Sequence, residues 1–128
     1  MFEALKRALQ RLGPRRQREW SVDETAAGYR IDGELTIRRS EISVIVAFKR
    51  DLMTFDQICV GIACTEPGPD GRYDLECIEE GNPTYAAVVE DLARHFDLAE
   101  GWWMEVAFPA FEENWTVIWS ARERGERG

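Results

Sequence analysis

The firmest hydrophobic pattern in the chain is a pair of alternating runs on either side of residues 51–56. Ile42, Val44, Val46 and Phe48 alternate with Ser43, Ile45, Ala47 and Lys49; Ile58, Val60, Ile62 and Cys64 alternate with Gln57, Cys59, Gly61 and Ala63. A period of two predicts two strands. A turn centred on Met53 sets Phe48 against Ile58, Val46 against Val60 and Val44 against Ile62, so large apolar side chains meet. The same register puts Arg50 opposite Asp56 as an ion pair closing the hairpin.

Upstream, Tyr29/Ile31 and Leu35/Ile37 alternate around Asp32-Gly33, a dipeptide that favours two-residue hairpins. A two-residue turn would pair Ile31 with Glu34 and Arg30 with Leu35, mixing apolar and polar on both faces. The expectation is therefore two strands with a looser connection. Further upstream, Phe2, Leu5, Leu9 and Leu12 recur at helical spacing before Gly13-Pro14. They predict an amphipathic helix that docks on the sheet, within a basic arm over 1–18. A membrane-surface or targeting segment and an RNA-touching arm are the competing readings of that arm.

Pro67-Gly68-Pro69-Asp70-Gly71 reads as a loop, and Tyr73 to Ile78 as a strand. Asn82 and Pro83 mark a helix start, predicting a helix over about 83–97. Its buried stripe is Tyr85, Val88, Val89, Leu92 and Phe96, with Glu90, Asp91, Arg94 and His95 facing water. The last pattern is aromatic. Trp102, Met104, Val106 and Phe108 alternate, as do Trp115, Val117 and Trp119, predicting a strand pair joined over Pro109 to Asn114. That register sets Phe108 against Trp115, Val106 against Val117 and Met104 against Trp119. The fold class expected is α+β: a largely antiparallel sheet, an N-terminal helix, and one longer helix inserted before a C-terminal strand pair. The chain of 128 residues fits one domain, with a frayed tail over 122–128.

Charge changes the picture more than overall composition does. Residues 1–18 carry a net +5 and the rest of the chain −13, which together make the −8 of the whole. An acidic body repels phosphates, so general nucleic-acid binding is not expected, and a basic protein partner suits it better. No run approaches the roughly 20 apolar residues that span a bilayer, and no secretory apolar region follows Met1. Cys59, Cys64 and Cys77 are an odd set, pointing to reduced thiols and a cytoplasmic location.

Catalytic chemistry finds little footing. Cys59 and Cys64 fall on opposite faces of one strand, so they do not chelate one metal. With His95 the lone histidine, neither a zinc site nor a Cys–His pair is expected; His95, four residues after Asp91, reads as a solvated, carboxylate-flanked side chain. No glycine-rich phosphate loop precedes a helix. No cofactor is expected, and no catalytic residue stands out. Lys49, Arg50, Asp51 and Asp56 gather around one hairpin turn, making Arg50 and Asp56 candidate binding residues. Trp103 points away from the Trp102 face, and with Phe111 in the following loop it forms the candidate contact patch.

Ala47-Phe48-Lys49-Arg50-Asp51-Leu52, running on to Asp56-Gln57-Ile58-Cys59, resembles a segment of small bacterial α+β proteins of unassigned function. Pro109, Phe111, Asn114 and Thr116-Val117 resemble a second segment of the same group. The resemblance implies a bacterial α+β domain and brings no catalytic residues with it. The function expected is a non-catalytic protein-binding module with an acidic, aromatic surface, one version being an immunity-type protein that masks a basic toxin. The alternative is a small-molecule binder or enzyme with a pocket between the sheet and the Pro83 helix.

Overall fold

The computed structural model describes residues 18–51, 56–66, 68–71, 73–107 and 115–121, excluding the side chains of Arg50, Asp51, Asp56, Glu105, Ala107 and Trp115. The expected N-terminal helix, the Pro109–Asn114 turn with Phe111, and the tail over 122–128 lie outside the described residues.

Among the described residues, seven strands form two antiparallel sheets. The smaller has the order β1 (Trp20–Asp23), β2 (Gly28–Ile31), β3 (Glu34–Arg38). The larger has the order β6 (Leu75–Glu79), β5 (Asp56–Ala63), β4 (Val44–Asp51), β7 (Trp115–Ser120). A 3₁₀ turn, Arg39–Glu41, leads from the small sheet to the large one. Helices α1 (Tyr85–His95) and α2 (Trp102–Ala107) fall between β6 and β7. Mixed α+β architecture with antiparallel sheets is therefore correct.

One core joins these parts. Trp20, Tyr29, Ile31 and Ile37 from the small sheet pack with Ile45, Ala47, Val60, Ile62, Ile78 and Ile118 from the large one; Val88 and Leu92 of α1 and Trp102 and Val106 of α2 complete it. The opposite face of the large sheet holds a second cluster of Val44, Val46, Phe48, Cys59 and Ala63, against which Tyr73, Leu75 and Cys77 pack.

The small sheet overturns the expectation of a loose connection. Asp32 and Gly33 both have positive φ, 53° and 88°, the backbone of a tight two-residue hairpin turn, and Ile31 pairs directly with Glu34. The mixed faces this creates are corrected one step later. A bulge gives β3 an extra residue, so Arg30 pairs with Leu35 but Tyr29 pairs with Ile37, and both of the latter are fully buried. At the other end of β2, a Cβ on Gly28 would overlap the Ile37 carbonyl oxygen, so β2 and β3 approach there as only glycine permits.

The β4–β5 hairpin forms, but one residue away from the expected register. Phe48 pairs with Cys59, Val46 with Gly61 and Val44 with Ala63; Ile45 pairs with Ile62 and Ala47 with Val60. Large residues oppose small ones on one face, which lets neighbouring side chains interleave. A Cβ on Gly61 would stand 3.1 Å from Val46 Cγ2 and 3.4 Å from Cys77 Sγ, so that space is already filled. In consequence Arg50 faces Gln57 and Asp56 faces Asp51, and Arg50 is not the cross-strand partner of Asp56.

The aromatic segment departs furthest from expectation. Residues 102–107 are helical, so no C-terminal strand pair exists between them and β7; β7 instead pairs with β4. Trp102 and Val106, four apart, serve one helix face as well as one strand face, and Met, Glu and Ala are good helix formers. Gly101, at φ 70°, turns the chain into the helix. In β7 a second bulge interrupts the alternation: Trp119 pairs with Ile45 but Val117 pairs with Val46. The extra residue, Ile118, is buried, Val117 is exposed, and Trp119 packs edge-on to Phe96 at a centroid distance of 4.7 Å. The expected common face of Trp115, Val117 and Trp119 is thereby broken.

Candidate functional site

Two regions carry chemistry beyond packing: the outer side of α2, and a charged cluster where α1 meets the small sheet.

Helix α2 is anchored by Trp102 and Val106, both buried, and turns Trp103 and Met104 outward with 55% and 51% of their surfaces exposed. Val117 on β7 is also half exposed. Trp103 is thus an outward residue, on a helix rather than a strand. Residues 96–121, which contain all three of these side chains, include Asp97, Glu100, Glu105, Glu112 and Glu113 and no Lys, Arg or His. Of the other expected contact residues, Phe111 lies outside the described residues, and Arg50 and Asp56 are placed only by their backbones on β4 and β5. Lys49 beside them is buried.

The charged cluster centres on Asp91, expected on the wet face of its helix and found 2% exposed. The correction has a visible cause. Tyr29 on β2, itself fully buried, donates its hydroxyl to Asp91 Oδ2 at 2.6 Å, and Arg39 of the 3₁₀ turn donates Nε to the same oxygen at 3.1 Å. A buried carboxylate is tolerated because a charged and a neutral donor replace its water. Burial, with Asp91 adding to it, pushes the Tyr29 hydroxyl well above its ordinary pKa. Asp91 Oδ1 has no hydrogen-bond partner among the described residues. Around it stand His95 Nε2 at 3.6 Å and Arg94 Nη1 at 3.9 Å, both beyond hydrogen-bond length. Glu24, in the turn between β1 and β2, lies 3.5 Å from Arg39 Nη2 and 3.9 Å from Arg94 Nη1. Glu24, Asp91 and His95 each bring one ligand atom within 4.8 Å of the other two. The sequence carried one signal for this group, the four-residue spacing from Asp91 to His95. Glu24, Tyr29 and Arg39 come from more than fifty residues away.

A cleft of about 320 Å³ lies between the chain leading into β1 and the start of α1, lined by Arg18, Glu19, Trp20, Asn82, Pro83 and Thr84. It borders Pro83, at the start of the helix beside which a ligand pocket was expected, and Arg50, Asp56 and Trp103 are not among its lining residues. Its polar groups are largely committed. Asn82 Nδ2 donates to the Arg18 carbonyl and Asn82 Oδ1 accepts from Thr84 N, forming a turn that delays the helix to Tyr85. Arg18 is paired with Glu76 at 2.9 Å.

Among the described residues, no helix is long and apolar enough to cross a membrane. No protein-family model, curated protein or solved structure matches the chain.

Proposed function

We propose that the protein is a non-catalytic binding module for a basic protein partner, with the outer side of α2 as its contact surface. One observation carries this reading: the large apolar side chains left more than half exposed among the described residues, Trp103, Met104 and Val117, all fall in a stretch with five carboxylates and no cation. Exposed tryptophan and methionine supply the buried anchor of an interface, and like-signed charge in the same stretch of sequence selects a partner of opposite sign. Trp103 and Met104 lead the surface because they are adjacent on one helix, whereas Val117 belongs to the large-sheet face away from α2.

An immunity-type protein that masks a basic toxin is the concrete form of this reading. Opposite charge would accelerate the encounter, and the association rate would fall as salt rises.

The test is affinity capture from the native cell with the wild-type chain and with the Trp103→Ala/Met104→Ala variant as bait. A basic protein retained by the wild type and lost from the variant is the expected result. Repeated recovery of nothing, or of the same proteins on both baits, overturns it.

A further inference from the structure

We infer that Glu24, Asp91 and His95 form a binding site for a divalent transition-metal ion of the Zn²⁺ class, at the junction of α1 with the β1–β2 turn. The inference is independent of the partner-binding surface on α2.

The first observation is the donor set. Asp91 and His95 are four apart on α1, so both side chains rise from the same helix face, and Glu24 reaches them from the small sheet. Their ligand atoms already lie within 4.8 Å of one another. Drawing them onto one ion at bond lengths of about 2.0–2.2 Å takes only a modest shift. The side chains that must move, Glu24 and His95, are 67% and 41% exposed, while Asp91 is held. One imidazole with two carboxylates favours Zn²⁺ over Mg²⁺ or Ca²⁺, which prefer all-oxygen sets.

The second observation is the state of the Asp91 carboxylate. Oδ2 is fixed by Tyr29 and Arg39, and Oδ1, in a residue only 2% exposed, has no hydrogen-bond partner among the described residues. An orphaned oxygen on a buried carboxylate is costly unless something meets it. Oδ1 stands 3.6 Å from His95 Nε2, within the group of ligand atoms that Glu24 completes. A carboxylate with one oxygen secured by outer hydrogen bonds and the other left toward the ligand space is how metal-binding carboxylates are oriented.

Arg94 is the competitor. Its guanidinium stands 3.9 Å from both Asp91 Oδ1 and Glu24 Oε1, too far for a hydrogen bond to either. It is 58% exposed and lies 3.7 Å from Glu90, one turn back on the outer surface. Arg94 can therefore swing toward Glu90 when an ion enters. Arg39 stays in place on Oδ2 as an outer partner. The cluster as a simple ion-pair network predicts the opposite of a metal site: no ion uptake, and nothing gained by removing Arg94.

The experiment is titration of the untagged, chelator-treated full chain with Zn²⁺ alone, followed by calorimetry. The expected result is one ion per chain. His95→Ala and Glu24→Gln should each weaken binding by at least about tenfold, and Arg94→Ala should tighten it. His95, Glu24 and Arg94 are exposed, so these variants retain the fold, which circular dichroism checks. Co²⁺ supplies a second readout: its spectrum should lack the intense thiolate charge-transfer band that Cys64 or Cys77 ligation would give. Absence of stoichiometric Zn²⁺ uptake overturns the site, as does uptake indifferent to both His95→Ala and Glu24→Gln, or a thiolate band with Co²⁺.

Discussion

Tyr29 donates its hydroxyl to Asp91 Oδ2 across 2.6 Å, tying the central strand of the small sheet to helix α1 in a place from which water is excluded. Tyr29→Phe keeps the ring and removes the donor, leaving Arg39 to satisfy that oxygen. A hydrogen bond to a buried charge contributes about 1.5–3 kcal/mol, and urea unfolding should show a loss of that size. The pH dependence gives a second check. Burial raises the folded pKa of Tyr29 above its ordinary 10.0, so its stabilising contribution is complete below that value and is lost as pH rises beyond it. The alkaline fall in stability should be shallower in Tyr29→Phe, with Tyr85, also raised by burial, keeping part of it.

Asp23 acts at the opposite end of the pH scale. The Ala26 backbone N–H first, and Arg30 second, hold its carboxyl below the ordinary value of 3.8. A lowered folded pKa means the contribution is present above the ordinary carboxylate range and disappears as pH falls through the folded value. Asp23→Ala should be less stable than wild type near neutrality, and the gap between their urea midpoints should close on acidification.

Gly28→Ala should destabilise the small sheet, because its new methyl group would overlap the Ile37 carbonyl rather than a side chain able to turn aside. Overpacking of this kind costs about 1–3 kcal/mol, and thermal unfolding should report it. Gly33→Ala also costs stability, through its φ of 88° alone, with nothing within 4 Å of the added carbon.

Adjacent tryptophans provide a contrast on one helix. Trp102→Ala empties a buried position and should cost about 3–5 kcal/mol. Trp103→Ala should change stability by no more than about 0.5 kcal/mol, its effect falling on partner binding instead. Denaturant midpoints for the pair measure the first statement, and the capture experiment the second.

Much of the fold was legible in the amino-acid pattern, and the misreadings have physical causes. The β4 and β5 strands were clear, but alternation identifies a buried face only when the other face is wet. Here Val44, Val46 and Phe48 enter one cluster and Ile45 and Ala47 the other, so a one-residue slip went unmarked. The bulges at Thr36 and Ile118 insert a residue where a period of two has no place for one. Trp102 and Val106 satisfy both a strand and a helix, and only the exposure of Met104 separates the two.

The charged cluster was harder to see. Asp91 sits among Glu90, Arg94 and His95, and nothing local distinguishes a carboxylate that will be covered from one that will stay wet. Its burial depends on Tyr29 and Arg39, which topology brings to it. The outward position of Trp103 was legible because adjacent residues diverge on a helix as on a strand, so Trp103 leaves the face that Trp102 occupies in either.

The irregularity at Ile118 has a consequence for the chain in company. Among the described residues β7 is an edge strand, and an unbroken edge is a template on which another copy can build. Here the bulge disturbs the even row of donors and acceptors, and the Ile118 carbonyl is already taken by the Ala99 N–H at 2.9 Å. The same extra residue that completes the core thus leaves this edge a poorer template for strand addition.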